Sequence, residues 1–110
     1  MDTLTSHRQA IQQLLRDYAS QAKSGEVETQ LVFDHEHGHY QLVYVGWEND
    51  GRVYGCVMHF DIKDGKIWIQ HNGTEVDVAA ELEKLGVPKT EIVIGFHSPF
   101  KRQFTDYAIG

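Results

Sequence analysis

Histidines and carboxylates are the residues of this 110-residue chain whose spacing could support chemistry. His35, His37 and His39 lie two residues apart, so in an extended segment their imidazoles would share one face and could approach a metal ion together. His35 and His37, however, fall in a predicted loop, and no carboxylate or cysteine is obviously placed to complete a closed shell around an ion. We therefore expect no native metal site and no cofactor, and leave open adventitious metal binding by these histidines.

A second arrangement combines His59 with Asp61, two residues further on, and with Asp64 and Lys66 in the next turn. This pattern has a faint similarity to the acidic and lysine residues of metal-dependent nucleases. Asp64 is better explained by turn chemistry, because it precedes a glycine, and Lys66 as its solvated neighbour. We expect no catalytic residues and no enzyme activity. The alternative is a metal-dependent nucleic-acid enzyme that uses His59, Asp61 and the three-histidine cluster.

Cys56 is the single cysteine of the chain, so no internal disulfide can form and a reducing, cytoplasmic location is expected. It lies in an alternating run with Tyr54, Met58 and Phe60, which predicts a buried thiol in the core. The sequence contains no nucleophile elbow, P-loop or dinucleotide-binding fingerprint. These observations favour a non-enzymatic protein.

The net charge of −6 opposes contact with a phosphate backbone. Lys101 and Arg102 form the only adjacent basic pair, and no basic stripe with interleaved aromatics occurs. We therefore expect no tight DNA binding by the protein alone. A direct DNA-binding module is kept as a further alternative. No apolar run approaches the roughly 18 residues of a membrane span, so no membrane association is expected.

Hydrophobic periodicity predicts the elements that must position these residues. Residues 4–22 carry apolar side chains at helical spacing, with Thr3 as N-cap and Ser24-Gly25 ending the helix near Lys23. The period then changes to two, which predicts strands at 27–33, 39–47, 52–62 and 67–71. Turn chemistry at 49–51 and 63–66 predicts two hairpins. The four strands should form an antiparallel meander.

A second helix is predicted from the capping-box-like pair Thr74 and Asp77 to Leu85, ended by Gly86 and Pro88. Residues 91–95 are expected to form a short strand or a helical turn, followed by a loop and a final strand at 107–109. The whole pattern predicts one α+β domain over residues 1–110, with helices packed on a single sheet.

Aromatic residues exceed what one face of a thin sheet covers easily. They are Tyr40, Tyr44, Trp47, Tyr54 and Trp68. Such a surplus, together with the unpaired edge strands of an open meander, predicts a homodimer, and it places Trp47 among the partner-binding residues. Packing beneath the two helices is the competing explanation.

The segment around Pro99 is predicted to be a rigid loop that docks a protein partner. It offers His97, Phe100, Lys101 and Arg102, and aromatic and arginine side chains are enriched at binding hot spots. Replacing both basic residues with glutamate is expected to spare folding and weaken partner capture. Alternatively, Phe100 tucks back into the core.

Several blocks of the sequence, in order along essentially the whole chain, resemble the XisI family of cyanobacterial excision-controlling factors. The blocks are 39–43, 45–47, 52–56, 59–70, 73–75, 86–89 and 95–97. The resemblance implies an accessory controlling factor for programmed excision of a DNA element during heterocyst development, in which a separate recombinase exchanges the strands. It also implies a XisH-like protein as partner, and any nuclease activity is expected to belong to that partner.

Overall fold

A computed structural model describes residues 3–21 and 26–110 as two helices, a five-stranded sheet and a short C-terminal helix. The elements are α1 (Thr3–Gln21), β1 (Val27–Asp34), β2 (His39–Glu48), β3 (Gly51–Lys63), β4 (Lys66–Asn72), α2 (Val78–Lys84), a 3₁₀ turn (Lys89–Glu91), β5 (Ile92–Ile94) and α3 (Pro99–Arg102). Neighbouring strands follow the chain order β1-β2-β3-β4-β5. The first four strands are antiparallel, as predicted, and β5 runs parallel to β4.

Helix α1 packs its apolar stripe on the sheet, burying Ile11, Leu14 and Leu15. The predicted helix is confirmed, although Thr3, expected as its N-cap, already lies within it. The expected end near Lys23, with Ser24-Gly25, falls outside the described residues. In the part of the chain that the structure describes, no helix is long and apolar enough to cross a membrane.

The hydrophobic core lies between α1, α2 and one face of the sheet. That face contributes the fully buried side chains Tyr40, Leu42, Met58, Phe60, Ile67, Ile69 and Ile92. Burying each such side chain contributes about 1.5–3 kcal/mol relative to exposure, so this layer dominates the stability of the fold. Neither α1 nor α2 packs on the opposite face, which we call the open face.

A β-bulge at Val57 changes the register between β2 and β3. Val43 pairs with Cys56, whereas its neighbour Leu42 pairs with Met58, so Val57 is an extra residue without a partner in β2. The bulge inverts the inside-outside alternation along β3. Cys56 consequently lies on the open face and is exposed, and the prediction that it is a core residue is wrong.

Both predicted hairpin turns are confirmed. In the first turn the positive φ angles belong to Asn49 (49°) and Asp50 (65°), and Gly51 is already the first residue of β3. In the second turn they belong to Asp64 (54°) and Gly65 (76°). Two consecutive residues with positive φ give the twist that suits a tight antiparallel hairpin.

Helix α2 begins later than predicted. Its N-cap is Asp77, whose side chain accepts a hydrogen bond of 3.1 Å from the Ala80 N–H. Thr74 instead donates its hydroxyl to Asn72 Oδ1 at 2.7 Å, within the turn before the helix. The expected glycine stop is present, because Gly86 follows the helix with a φ of 98°.

The C-terminal region differs from the prediction in two places. The expected loop at Pro99 is the short helix α3, because Pro99 takes the first helical position, where no N–H donor is required, after Ser98 as N-cap. The expected final strand is a single bridge between Val93 and Ala108. The C-terminal residues therefore cover the β4–β5 end of the open face without extending the sheet by a full strand.

Candidate functional site

Two histidines and one carboxylate converge on the open face. The register after the bulge places His39 directly opposite Asp61, and His59 lies two residues before Asp61 on the same strand. His39 Nδ1 lies 2.7 Å and His59 Nε2 2.8 Å from the same oxygen, Asp61 Oδ1. We call these three residues the His–Asp–His cluster.

Asp61 remains a carboxylate at neutral pH despite its limited exposure of 16%. Burial by itself raises the pKa of Asp61, but hydrogen bonds from His39 and His59 and one from Gln70 outweigh it, and the net pKa lies below the usual value. Gln70 Nε2 donates to the second carboxylate oxygen, Oδ2, at 3.1 Å. Both oxygens are thus held in place from β2, β3 and β4.

The three histidines considered as a possible metal site do not converge. His35 Nδ1 lies 3.1 Å from the Tyr40 hydroxyl, and His37 Nδ1 lies 2.9 Å from Asp34 Oδ2. The segment between β1 and β2 is a turn, so the two-residue spacing does not put the imidazoles on one face. Only His39, which begins β2, joins His59 and Asp61.

The His–Asp–His cluster offers two imidazole nitrogens and one carboxylate oxygen within 4.8 Å of one another. This donor set suits first-row divalent metals. The nuclease-like pattern also included Asp64 and Lys66. Asp64 lies in the turn between β3 and β4, and Lys66 is the first residue of β4. The cleft lined by Leu14 and Leu85, of about 190 Å³, opens on the helical side of the sheet, away from the cluster.

A second feature is a set of three exposed phenylalanines in the C-terminal segment. Phe96, Phe100 and Phe104 are 54%, 67% and 74% exposed, and the rings of the last two meet edge to face at 5.2 Å. We call these three residues the aromatic ridge. Phe100 therefore does not tuck into the core. Lys101 beside it is exposed, and His97 is partly buried.

Arg102 faces inward and ties the C-terminal segment together. Its guanidinium donates hydrogen bonds of 3.0–3.3 Å to the backbone carbonyls of Ile94, Gly95, His97 and Ile109. It also lies over the Trp68 ring at 5.1 Å. The expectation that Lys101 and Arg102 are equally free surface charges is wrong for Arg102, because its head group replaces water as the partner of those carbonyls.

Trp47 lies at the β2–β3 hairpin end of the open face, opposite Arg52 in the register. It is 52% exposed, and the Arg52 guanidinium covers its ring at 5.5 Å. The C-terminal segment borders Trp68, which pairs with Asp61 near the other end of β3. The structure therefore separates Trp47 from the other predicted partner-binding residues by most of the length of that strand.

The chain has a single sheet with two helices on one face and an open face on the other, so it is a small α+β protein. Residues 1–109 match the family model described as XisI protein, and the chain belongs to the XisI family. None of the curated proteins compared with it matches.

Two solved structures are similar over nearly the whole chain. One is a XisI-like protein from Anabaena variabilis ATCC 29413, with 48% identity and a TM-score of 0.92, covering 97% of this chain and 99% of that chain. The other is the fdxN element excision controlling factor XisI from Anabaena variabilis ATCC 29413, with 33% identity and a TM-score of 0.86, covering 99% and 100%.

Proposed function

We propose that this protein is an accessory controlling factor for the excision of a DNA element in heterocyst development, and that it acts by binding another protein. Membership of the XisI family supports the role in excision control. So does its similarity to a protein described as an fdxN element excision controlling factor. The proposed partner is a XisH-like protein, and the chemistry of excision resides outside this chain.

The aromatic ridge is the observation that carries the binding role. Exposed aromatics that lie next to one another on a monomer surface are costly in water and commonly mark contact sites. Phe100 and Phe104 already hold each other in an edge-to-face arrangement, so little side-chain entropy is lost when a partner covers them. Lys101 adds a cation at the edge of the ridge, where it favours an acidic partner surface.

The test is copurification of the XisH-like partner with the full chain. We expect the double variant Phe100→Ala/Phe104→Ala to bind at least about tenfold more weakly, because aromatic anchors of this kind commonly cost more than 1 kcal/mol when truncated. Tyr54→Ala is the matched control, since Tyr54 is similarly exposed, at 76%, but lies on the open face. Undiminished capture by the folded double variant would place the docking site elsewhere.

The alternatives of a nucleic-acid enzyme and a direct DNA-binding module are separated by assays on the purified protein alone. With a net charge of −6, we expect no cleavage of duplex DNA in the presence of magnesium or zinc, and no submicromolar binding of random duplex at physiological salt. Metal-dependent cleavage abolished by Asp61→Asn would support the enzyme. Tight, salt-sensitive binding would support the DNA-binding module.

A further inference from the structure

We propose that the His–Asp–His cluster of His39, His59 and Asp61 is a binding site for a divalent first-row transition metal, with zinc as the test ion. The site is independent of the controlling role proposed above. Three donor atoms of the right type come from two adjacent strands and point at one another. Imidazole nitrogen and carboxylate oxygen are the ligands that zinc takes in open sites with three protein ligands.

The spacing of the donor atoms is close to what an ion requires. Zinc lies about 2.0–2.2 Å from nitrogen and oxygen ligands, so neighbouring ligand atoms in its shell are roughly 3–3.5 Å apart. His39 Nδ1 and His59 Nε2 lie 2.7 Å and 2.8 Å from Asp61 Oδ1. The two imidazole nitrogens lie within 4.8 Å of each other. Side-chain movements of about 1–2 Å therefore admit the ion, without a change in the strands.

The carboxylate is prepared for a cation by its surroundings. Among residues 3–21 and 26–110, no lysine or arginine forms an ion pair with Asp61. Gln70 orients Oδ2, as the outer partners of metal ligands generally do. Gly95 leaves room for this arrangement, because a Cβ there would lie 2.7 Å from Gln70 Oε1. The charge of Asp61 is thus satisfied only by neutral donors or by histidines.

Metal binding would also change which ring nitrogens of the two histidines carry protons. Without an ion, His39 and His59 both donate ring protons towards one oxygen. An ion between the three atoms replaces both protons, and each neutral imidazole then carries its proton on its other ring nitrogen. His39 is 54% exposed, so the remaining coordination position faces solvent on the open face and would hold water.

The test is isothermal titration calorimetry of the metal-stripped full chain with zinc chloride, with cobalt(II) absorption as a spectroscopic measurement. We expect one ion per chain, and for Asp61→Asn and His59→Ala a loss of at least about tenfold in affinity. His37→Ala is the matched control. Its ring stacks against His39 at 6.4 Å, but its nitrogen binds Asp34 rather than the cluster, so its affinity should equal that of the wild type.

Circular dichroism establishes that each variant is folded before its affinity is compared. If a variant fails to fold, nitrogen-15 NMR of the imidazoles in the wild type tests the zinc site instead. Zinc should shift the signals of His39 and His59 and leave that of His35 unchanged. The proposal is overturned if the wild type binds no zinc. Equal zinc affinity of wild type, Asp61→Asn and His59→Ala, or zinc shifts confined to other histidines, would overturn it as well.

Discussion

At the scale of single residues, Arg102 and Tyr107 fix the chain end to the rest of the molecule. Arg102 satisfies carbonyls on both sides of α3, including that of Ile109. Tyr107 donates its hydroxyl to Glu83 Oε2 at 2.7 Å and so joins the C-terminus to α2. These two side chains hold the segment that presents the aromatic ridge, although neither is part of the ridge itself.

Replacing Arg102 with alanine should lower the free energy of unfolding by about 2 kcal/mol, because hydrogen bonds to a charged donor contribute about 1.5–3 kcal/mol and their carbonyl partners would be left without it. Lys101→Ala is the control, since that side chain is exposed and should cost under about 0.5 kcal/mol. Urea unfolding measures both. Equal costs would contradict the structural role of Arg102.

Tyr107 predicts a loss of stability at alkaline pH. Burial, followed by the hydrogen bond to Glu83, raises the pKa of Tyr107 to about 12, against an ordinary value near 10. Between these pH values the folded chain keeps the proton that the unfolded chain releases, so stability falls as pH rises through the window. From pH 9 to pH 11 the wild type should lose about 1 kcal/mol more than Tyr107→Phe in urea unfolding. Parallel pH profiles would refute this assignment.

At the scale of elements, the β2 strand is held by close backbone approach at one end and by the bulge of β3 near its middle. Gly46 pairs with Val27 and has no room for a side chain, because a Cβ there would lie 2.7 Å from Val27 Cα and closer still to Glu26 O. The pairing of β1 with β2 therefore requires glycine at this position for reasons of space rather than of φ.

Gly46→Ala should cost about 3 kcal/mol of folding stability, because the backbone of β1 would have to move away from β2. Gly55→Ala on β3 is the matched control, since a Cβ there would meet no atom within 4 Å. It should be neutral or slightly stabilising, by about 0.5 kcal/mol, because glycine in a strand is entropically unfavourable. Thermal unfolding of both variants checks the difference. Similar melting temperatures would rule out the steric account.

At the scale of the whole molecule, the β1–β3 part of the open face and the edge strand β1 remain uncovered. Val32, Trp47 and Tyr54 are 46%, 52% and 76% exposed on this face, and β1 presents the unpaired edge of the sheet. An exposed edge beside an apolar surface favours association. A second copy of the chain can cover both features around a two-fold axis, because the same surface is then used twice.

We predict a homodimer with about twice the 12.6 kDa chain mass. Tyr54→Glu should weaken it at least about tenfold, because two buried carboxylates would face each other across the axis. Phe104→Glu is the control, with a similar exposure of 74% but a place on the aromatic ridge. Light scattering at micromolar concentration measures the mass. A wild-type monomer, or equal dissociation by both variants, would contradict this interface.

The sequence by itself determined the order and type of most elements. Local patterns in the sequence can be interpreted without knowledge of the fold. They include the helical spacing in α1, the period of two in the strands, and the turn residues at Asn49-Asp50 and Asp64-Gly65. The same patterns correctly predicted one sheet with helices packed on it. The resemblance of the sequence blocks to the XisI family was likewise readable without coordinates, and the family match over residues 1–109 confirms it.

Only the tertiary structure decided which side chains meet. A two-residue turn after Glu48, continued without a bulge, would pair His39 with Phe60. The extra residue Val57 shifts the register by one, so His39 meets Asp61 instead. The inward orientation of the Arg102 side chain could not be predicted from the sequence either. The carbonyls that it binds come together only when the chain end folds over β4 and β5. Bulges and returning chain ends depend on contacts distant in sequence, which periodicity does not encode.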